Sequence, residues 1–272
     1  YGVEAKQGSF SLMKAHILNI ICAGDEEKYK YVINWLANAV QHPELPGRVA
    51  IVLQGGQGTG KGYFARYCGK LFGQHYVHID NAEHVTGKFN GHLRDAVLVF
   101  ADEAFFAGDK KTKNRMKSLI TENTFMLEDK YMKAQQIPNH MHFILASNER
   151  HVVNVESDDR RHFILQVSEA VKNNSKYFSA LELEMKNGGP EAMLYELKNA
   201  DLSDFNVFAV PKTEALLSQK LKSMTGPTAW LYDCLSMAEI TGREWTVQGV
   251  EVSRQYAHQD YTANHRQYGD LR

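Results

Sequence analysis

Between Ser11 and Val40 the apolar residues Leu12, Ile17, Ile20, Ile21, Val32, Ile33, Leu36 and Val40 recur mostly three or four positions apart, the period of one helix face. The interval breaks at Ala23-Gly24-Asp25, so the stretch predicts two amphipathic helices. A breaker cluster, His42-Pro43-Glu44-Leu45-Pro46-Gly47, ends that pattern, and the apolar run Val49 to Leu53 begins another. From there to Val167, short β-rich runs alternate with helical or loop stretches. The runs are Val49 to Leu53, Tyr76 to Ile79, Ala96 to Phe100, His142 to Ala146 and Phe163 to Val167. This alternation predicts an α/β fold built on a parallel sheet. Beyond Ser168 the period is mostly helical, punctuated by Gly188-Gly189-Pro190 and Gly226-Pro227. The pattern divides the chain into an N-terminal helical collar (1–46), an α/β core (47–170) and a mostly helical C-terminal region (171–272). There are no internal repeats and no low-complexity tract.

Composition narrows the function only by exclusion. A chain of 272 residues with a formal net charge of -1 can bury a full core, but its bulk charge does not demand a nucleic-acid partner, so any basic surface must be local. Cys22, Cys68 and Cys234 lie far apart with no CxxC pair, which speaks against a disulfide framework or structural zinc. His75 and His78 have no third acid or thiol partner nearby in sequence. No apolar run approaches membrane-spanning length and no signal-peptide pattern opens the chain, so a cytoplasmic protein without a membrane partner is expected. The first residue is Tyr1 and the end from His258 to Arg272 is polar, which suggests a piece of a longer protein, truncated at the C-terminal region.

The chemistry concentrates in the core. Gly55-Gly56-Gln57-Gly58-Thr59-Gly60-Lys61 follows the run Ile51-Val52-Leu53. Glycines let a loop wrap its N–H groups around the β- and γ-phosphates of ATP, Lys61 adds a point charge, and the next helix offers its N-terminal dipole. This is a P-loop in the order of elements that phosphate binding requires. Gly62 stands where a Ser or Thr would hold Mg²⁺, and Tyr63 cannot simply replace it. The run from Ala96 ends in Asp102-Glu103, an acid for the metal and an acid to activate water. The run from Phe143 ends in Ser147-Asn148, where a neutral amide on a strand between the other two can bond the attacking water or the γ-phosphate. Asn at a turn is the ordinary alternative. Arg160 and Arg161 precede the last strand, and either can serve a neighbouring subunit's γ-phosphate as an arginine finger or simply pair with Asp158 or Asp159.

These motifs in order resemble the superfamily 3 helicase module of phage and prophage primase-helicase proteins. The resemblance is carried by the loop with its Gly-Lys-Gly, Phe89-Asn90-Gly91-His92-Leu93, Asp102-Glu103, Lys117-Ser118-Leu119-Ile120-Thr121, Ala146-Ser147-Asn148 and Asp159-Arg160-Arg161. Trp35-Leu36-Ala37 and Gln41-His42-Pro43 extend it upstream, so it covers most of residues 11 to 168. It implies a P-loop NTPase of AAA+ type, a ring that is a hexamer in the family, ATP sites between subunits, translocation on single-stranded DNA in phage or plasmid-like replication, and an upstream primase-polymerase domain. A bacterial host cytoplasm follows. In such helicases a hairpin between the second and third motifs projects into the central channel, and Lys130, Tyr131 and Lys133 occupy that stretch here.

Other readings stay open. A non-translocating AAA+ initiator or loader would share every motif, and Gly-Lys-Gly also fits a nucleotide or small-molecule kinase, against which Asp102-Glu103 and Ser147-Asn148 speak. The basic run Asp109 to Lys117 reads as a solvated helix face, or as a reserve DNA contact. Phe89 to Leu93 reads as a helix start with core anchors.

Overall fold

The computed structural model describes residues 1–81, 84, 87, 89–102, 110–131, 133–148, 160–222, 224–240, 242–245 and 251–264. Two compact units divide the chain, Tyr1–Leu217 and Ser218–Arg272.

The first unit is organised by five parallel strands, β1 (Ala50–Gln54), β2 (Tyr76–Ile79), β3 (Leu98–Asp102), β6 (His142–Ser147) and β7 (His162–Gln166), in the order β2-β3-β6-β1-β7. The register pairs Gln54 with both Ser147 and Gln166, and Asp102 with Ala146, so the carboxyl ends of β1, β3 and β6 reach one edge together. Every residue of β1 and β6 is buried, which explains their unbroken apolar sequence. Successive side chains still point to opposite faces. Ile51, Leu53, Phe100, Ile144, Phe163 and Leu165 pack into one core, while Ala50, Val52, Val99, Phe143, Leu145 and Ile164 pack into the other.

Helices close the first of these faces. They are α1 (Ser11–His16, continued by a π turn at Ile17–Ile21), α2 (Glu26–Gln41), α3 (Lys61–Phe72), α5 (Ser175–Lys186) and α6 (Gly189–Lys198). The break between α1 and α2 falls where it is predicted. Ala23 and Gly24 take positive φ, and the Asp25 carboxylate accepts from the Lys28 backbone N–H at 3.0 Å to start α2. Trp35 of α2 is fully buried and donates its indole N–H to the Val49 carbonyl at 2.9 Å, tying α2 to the approach to β1. The Glu184 carboxylate accepts from the N–H groups of Leu12 and Met13, each at 2.9 Å, so α5 caps α1. Residues 1–46 and 171–217 thus share one core with the sheet, whereas the sequence pattern separates them from it.

The opposite face is covered by α4 (Lys110–Thr121) through Met116, Leu119 and Ile120, and by an antiparallel hairpin of β4 (Thr124–Leu127) and β5 (Gln135–Pro138). Phe125 and Leu127 sit at 5% and 3% exposure against that core, whereas Met126 between them is 47% exposed, the alternation of a half-buried strand. The helix α7 (Glu214–Lys222) spans the boundary between the units and begins after Thr213, whose hydroxyl accepts from the Leu216 N–H at 3.0 Å.

In the second unit, α8 (Gly226–Met237) and α9 (Arg254–Asn264) are joined through Trp230, whose indole N–H donates to the Asp260 carboxylate at 2.7 Å. Gly226-Pro227 opens α8 instead of ending a helix, because proline suits a first turn that needs no N–H. A two-residue hairpin, β8 (Glu239–Ile240) and β9 (Arg243–Glu244), interrupts the helical tail.

Candidate functional site

β1 runs directly into the glycine loop. Gly58 (φ +78°) and Gly60 (φ +99°) hold left-handed backbone that costs glycine little. A Cβ on Gly60 would lie 2.5 Å from the His16 ring and 2.9 Å from that of Phe178, and one on Gly58 would collide with the Asn173 amide. The loop is therefore pressed from behind as well as bent. The Asn173 N–H donates to the Gly58 carbonyl at 3.2 Å, and Asn174 caps α5 by accepting from the Tyr177 N–H at 3.0 Å.

His16 stands behind the loop where α1 widens into its π turn, and it is fully buried. Its Nε2 donates to the Gly60 carbonyl at 3.3 Å and its Nδ1 accepts from the Tyr177 hydroxyl at 3.0 Å, which sets one neutral tautomer. Burial pushes its pKa down to about 4, with the Gly60 carbonyl acting the other way.

Lys61 opens α3 and is only 7% exposed. A buried ammonium needs acceptors. Its Nζ donates to the carbonyls of Gly55 at 2.5 Å and Gly56 at 2.8 Å, and to Oδ1 of Asn148 at 2.9 Å. The last bond links the loop after β1 to the residue after β6. Gln57, Gly58, Thr59, Gly60, Lys61, Gly62 and Tyr63 line a cleft of about 740 Å³ together with Asp102, Asn148 and the start of α5 at Ser175. Gly55 and Gly56 lie behind it, their carbonyls turned to Lys61, and a Cβ on Gly56 would meet the Glu169 carboxylate at 2.7 Å. Thr59 turns its hydroxyl to the Gly56 carbonyl at 2.9 Å. Gly62 differs from its neighbours, since a Cβ there would meet nothing within 4 Å. The Tyr63 ring stacks on Phe178 at 4.8 Å and carries the Arg66 guanidinium at 4.5 Å, so packing occupies it.

Lys61, Asp102 and Asn148 thus come together, and Glu103 lies outside the described residues. Arg160 and Arg161 do not join them. Arg161 precedes β7, its carbonyl accepting from the Ala50 N–H at 2.8 Å, at the amino edge of the sheet. A five-residue strand spans roughly 16 Å, which separates that edge from the cleft. There Arg160 and Arg161 share a cavity of about 330 Å³ with Thr121 and Phe208. Lys130, Tyr131 and Lys133 are exposed at the turn of the β4–β5 hairpin, with Tyr131 fully exposed at φ +66°. Among the described residues no cluster of three or more His, Cys, Asp or Glu is placed to hold a metal ion. No helix among them is long and apolar enough to cross a membrane.

Two features escape the sequence reading. His16 occupies a polar position on the apolar stripe of Met13, Ile17 and Ile20, which is its only signal in the sequence. Phe89 to Leu93 is not a helix start with two anchors: Leu93 is buried in a 3₁₀ turn (Gly91–Leu93), Phe89 is 47% exposed, and the fully buried residue beside it is the polar Asn90. The Asn90 side chain bonds the Met126 carbonyl of β4 and the Glu128 N–H just after it, which its type alone does not reveal.

Residues 53–161 match the model of a family of unknown function, DUF5906. The chain is 29% identical over 214 residues to a DNA primase-polymerase of Nitratiruptor phage NrS-1, a match covering 74% of this chain and 30% of the relative. It is also similar to the apo structure of the NrS-1 C terminal region, at 26% identity and a TM-score of 0.71, over 85% of this chain and 58% of that one. An A form apo structure of the same region gives a TM-score of 0.71 at 26% identity, over 82% of this chain and 53% of that one. The chain therefore spans less than a third of the length of the phage primase-polymerase and is homologous to a part of its C-terminal region.

Proposed function

We propose that this chain is the ATPase module of a phage replication protein and acts as a ring helicase of the superfamily 3 type, hydrolysing ATP to move along single-stranded DNA. The observation that carries the reading is the convergence of Lys61, Asp102 and Asn148 on one cleft from the carboxyl ends of β1, β3 and β6. That edge is where ligands bind in open parallel sheets. The strand order, with the asparagine-bearing β6 between β1 and β3, supports a P-loop core of AAA+ type. Homology to a phage primase-polymerase supports a role in phage DNA replication, in the cytoplasm of a bacterial host and alongside an upstream primase-polymerase domain in the full-length protein.

The residues fit a nucleoside triphosphate. The loop with its left-handed glycines lines the cleft, Lys61 supplies the cation, and the volume lies within the usual range for small-molecule sites. Asp102 is the carboxylate in the cleft that would hold Mg²⁺, and Gly62 offers no hydroxyl beside it. The bound ion would offset phosphate charge. Asn148 would orient water without adding negative charge, and Glu103 would act as the base. The position of Arg161 supports a ring, because a guanidinium at the amino edge serves a neighbour's site better than its own.

The test is the ATPase rate with and without single-stranded DNA, measured alongside mass by light scattering and strand unwinding. A hexamer whose hydrolysis rises with DNA and which unwinds a forked duplex supports the reading. A ring that hydrolyses ATP without unwinding is an initiator or loader, and a monomer indifferent to DNA that phosphorylates a small acceptor is a kinase.

A further inference from the structure

The segment Phe89 to Leu93 contributes nothing to the cleft, yet it contains one of the few fully buried polar side chains, Asn90. Its carbonyl accepts from the Leu93 N–H at 2.9 Å, and its other bonds go to one place. The Asn90 N–H donates to the Glu128 carbonyl at 3.1 Å, its Nδ2 donates to the Met126 carbonyl at 2.9 Å, and its Oδ1 accepts from the Glu128 N–H at 2.8 Å. The Met126 carbonyl belongs to β4, and the two Glu128 groups follow directly where the strand runs into the hairpin turn. Backbone groups at the end of a strand must be satisfied, and Asn90 bonds three of them, with the Arg115 guanidinium also donating to the Met126 carbonyl at 3.4 Å. Asparagine is suited to this because its amide presents a donor and an acceptor side by side, as a peptide unit does. The contact continues toward the tip. Gly91 leaves the space that the Asp129 carboxylate fills, Arg94 lies 4.0 Å from that carboxylate, and the Lys130 ammonium is 5.9 Å from the centre of the Phe89 ring. Four residues further on, β3 begins its course to Asp102.

We infer that Asn90 is a positioning residue that seats the β4–β5 hairpin on the approach to β3, and that through this seat DNA engaged by Lys130, Tyr131 and Lys133 is coupled to ATP hydrolysis. The inference rests on the proposed helicase reading for the DNA contact, but the seat itself is read from the hydrogen bonds alone. Leucine at position 90 would fill the volume and keep the backbone bond to the Glu128 carbonyl, but lose both side-chain bonds, to the Met126 carbonyl and the Glu128 N–H. Aspartate keeps the acceptor for the Glu128 N–H and loses the donor to Met126.

The experiment compares the parent chain with Asn90→Leu and Asn90→Asp by hydrogen exchange at the Glu128 amide, by basal hydrolysis, and by the ratio of DNA-stimulated to basal rate. Asn90→Leu is expected to lose protection at Glu128 by about tenfold or more and to lose most of the stimulation, with the basal rate and the KM for ATP within about twofold of the parent. Asn90→Asp should recover part of both signals in parallel, which a general loss of stability would not produce. Full stimulation in Asn90→Leu despite lost protection overturns the coupling, and unchanged protection overturns the seat. A parent chain that binds ATP but shows no response to DNA overturns the helicase reading, and the coupling with it, whatever the exchange data show.

Discussion

The glycine loop and the hairpin turn are built on opposite plans. The loop is crowded on its inner side, where His16, Asn173 and Phe178 leave no room for a Cβ on Gly58 or Gly60, and its cation is satisfied by three acceptors. The hairpin is anchored along one face by Phe125 and Leu127, and at one edge by Asn90, while Tyr131 at its tip is fully exposed. Nucleotide chemistry needs groups held within fractions of an ångström before substrate arrives. A contact with single-stranded DNA needs charge and an aromatic face but no fixed register. Rigidity is placed where positions decide the rate, and exposure where they do not.

The sharpest break of this comparison is whether the crowded cleft is complete within one chain. Arg161→Ala is expected to bind ATP normally and to lose turnover on the order of a thousandfold, as trans-acting fingers do in other NTPases. Mixing it with Lys61→Ala subunits should restore part of the activity, since some interfaces then combine an intact loop with an intact guanidinium. Failure of rescue in verified mixed oligomers would place the completing cation within the same chain.

Acid should separate the two regions next. His16 and His142 are both buried, and desolvation pushes their pKa values from the ordinary 6.5 down to about 4. Each is neutral when folded and takes up a proton on unfolding between these limits. Stability is therefore complete above pH 6.5 and falls as pH drops toward 4, by about 3 kcal/mol for each group at 1.36 kcal/mol per pKa unit. His16 touches the Gly60 carbonyl and stays neutral in the folded chain until the pH nears 4, so nucleotide affinity of the folded protein should hold down to that pH. His16→Gln, measured by thermal unfolding across pH 4 to 7, should flatten about half of the slope. A slope unchanged in that variant would remove His16 from the account.

On the proposed reading the hairpin should respond to salt rather than to acid. In Lys130→Ala with Lys133→Ala, stimulation by single-stranded DNA and unwinding should disappear. The logarithmic salt dependence of DNA binding should become shallower by about 1.4, at roughly 0.7 per lost phosphate contact. Unwinding at the parent rate would move the DNA contact to the basic run from Lys110 to Lys117.

The same contrast explains what the sequence discloses. β1, β3, β6 and β7 are legible because burial of all or nearly all of their residues writes apolar runs, whereas the largely half-buried β2 is legible from its β-rich residues and the hairpin from the family resemblance. The loop was legible because backbone wrapping demands glycine at fixed spacing. What supports these features is not periodic. The bond from Lys61 to Asn148 joins residues 87 positions apart, and the bond from His16 to Gly60 spans 44. Asn90 carries no local signal, because an asparagine that caps a turn and one that completes a strand edge 38 residues away are the same letter. Likewise the mostly helical tail was recognised by its period, but the assignment of residues 171–217 to the core rests on Glu184, Leu194 and Leu197, whose partners lie near the start of the chain and on the sheet.

The smallest expected effect bears on the one open position in the crowded loop. Gly62 follows Lys61 in the first turn of α3, has ordinary negative φ, and a Cβ there would meet nothing within 4 Å. Nothing in the packing therefore requires glycine, in contrast to Gly58 and Gly60. Gly62→Ser should fold without strain and gain about 0.5 kcal/mol from helix propensity alone, a rise of about 1 °C in Tm. Its hydroxyl would stand where P-loops usually present a metal ligand, next to a cleft in which Asp102 is the carboxylate assigned to the ion. The Mg²⁺ concentration giving half-maximal hydrolysis should therefore fall by a few fold, with the KM for ATP changing less. Were Gly62→Ser instead to lose activity while gaining stability, the open space at position 62 would belong to the substrate, and the absent hydroxyl would be a requirement of this cleft.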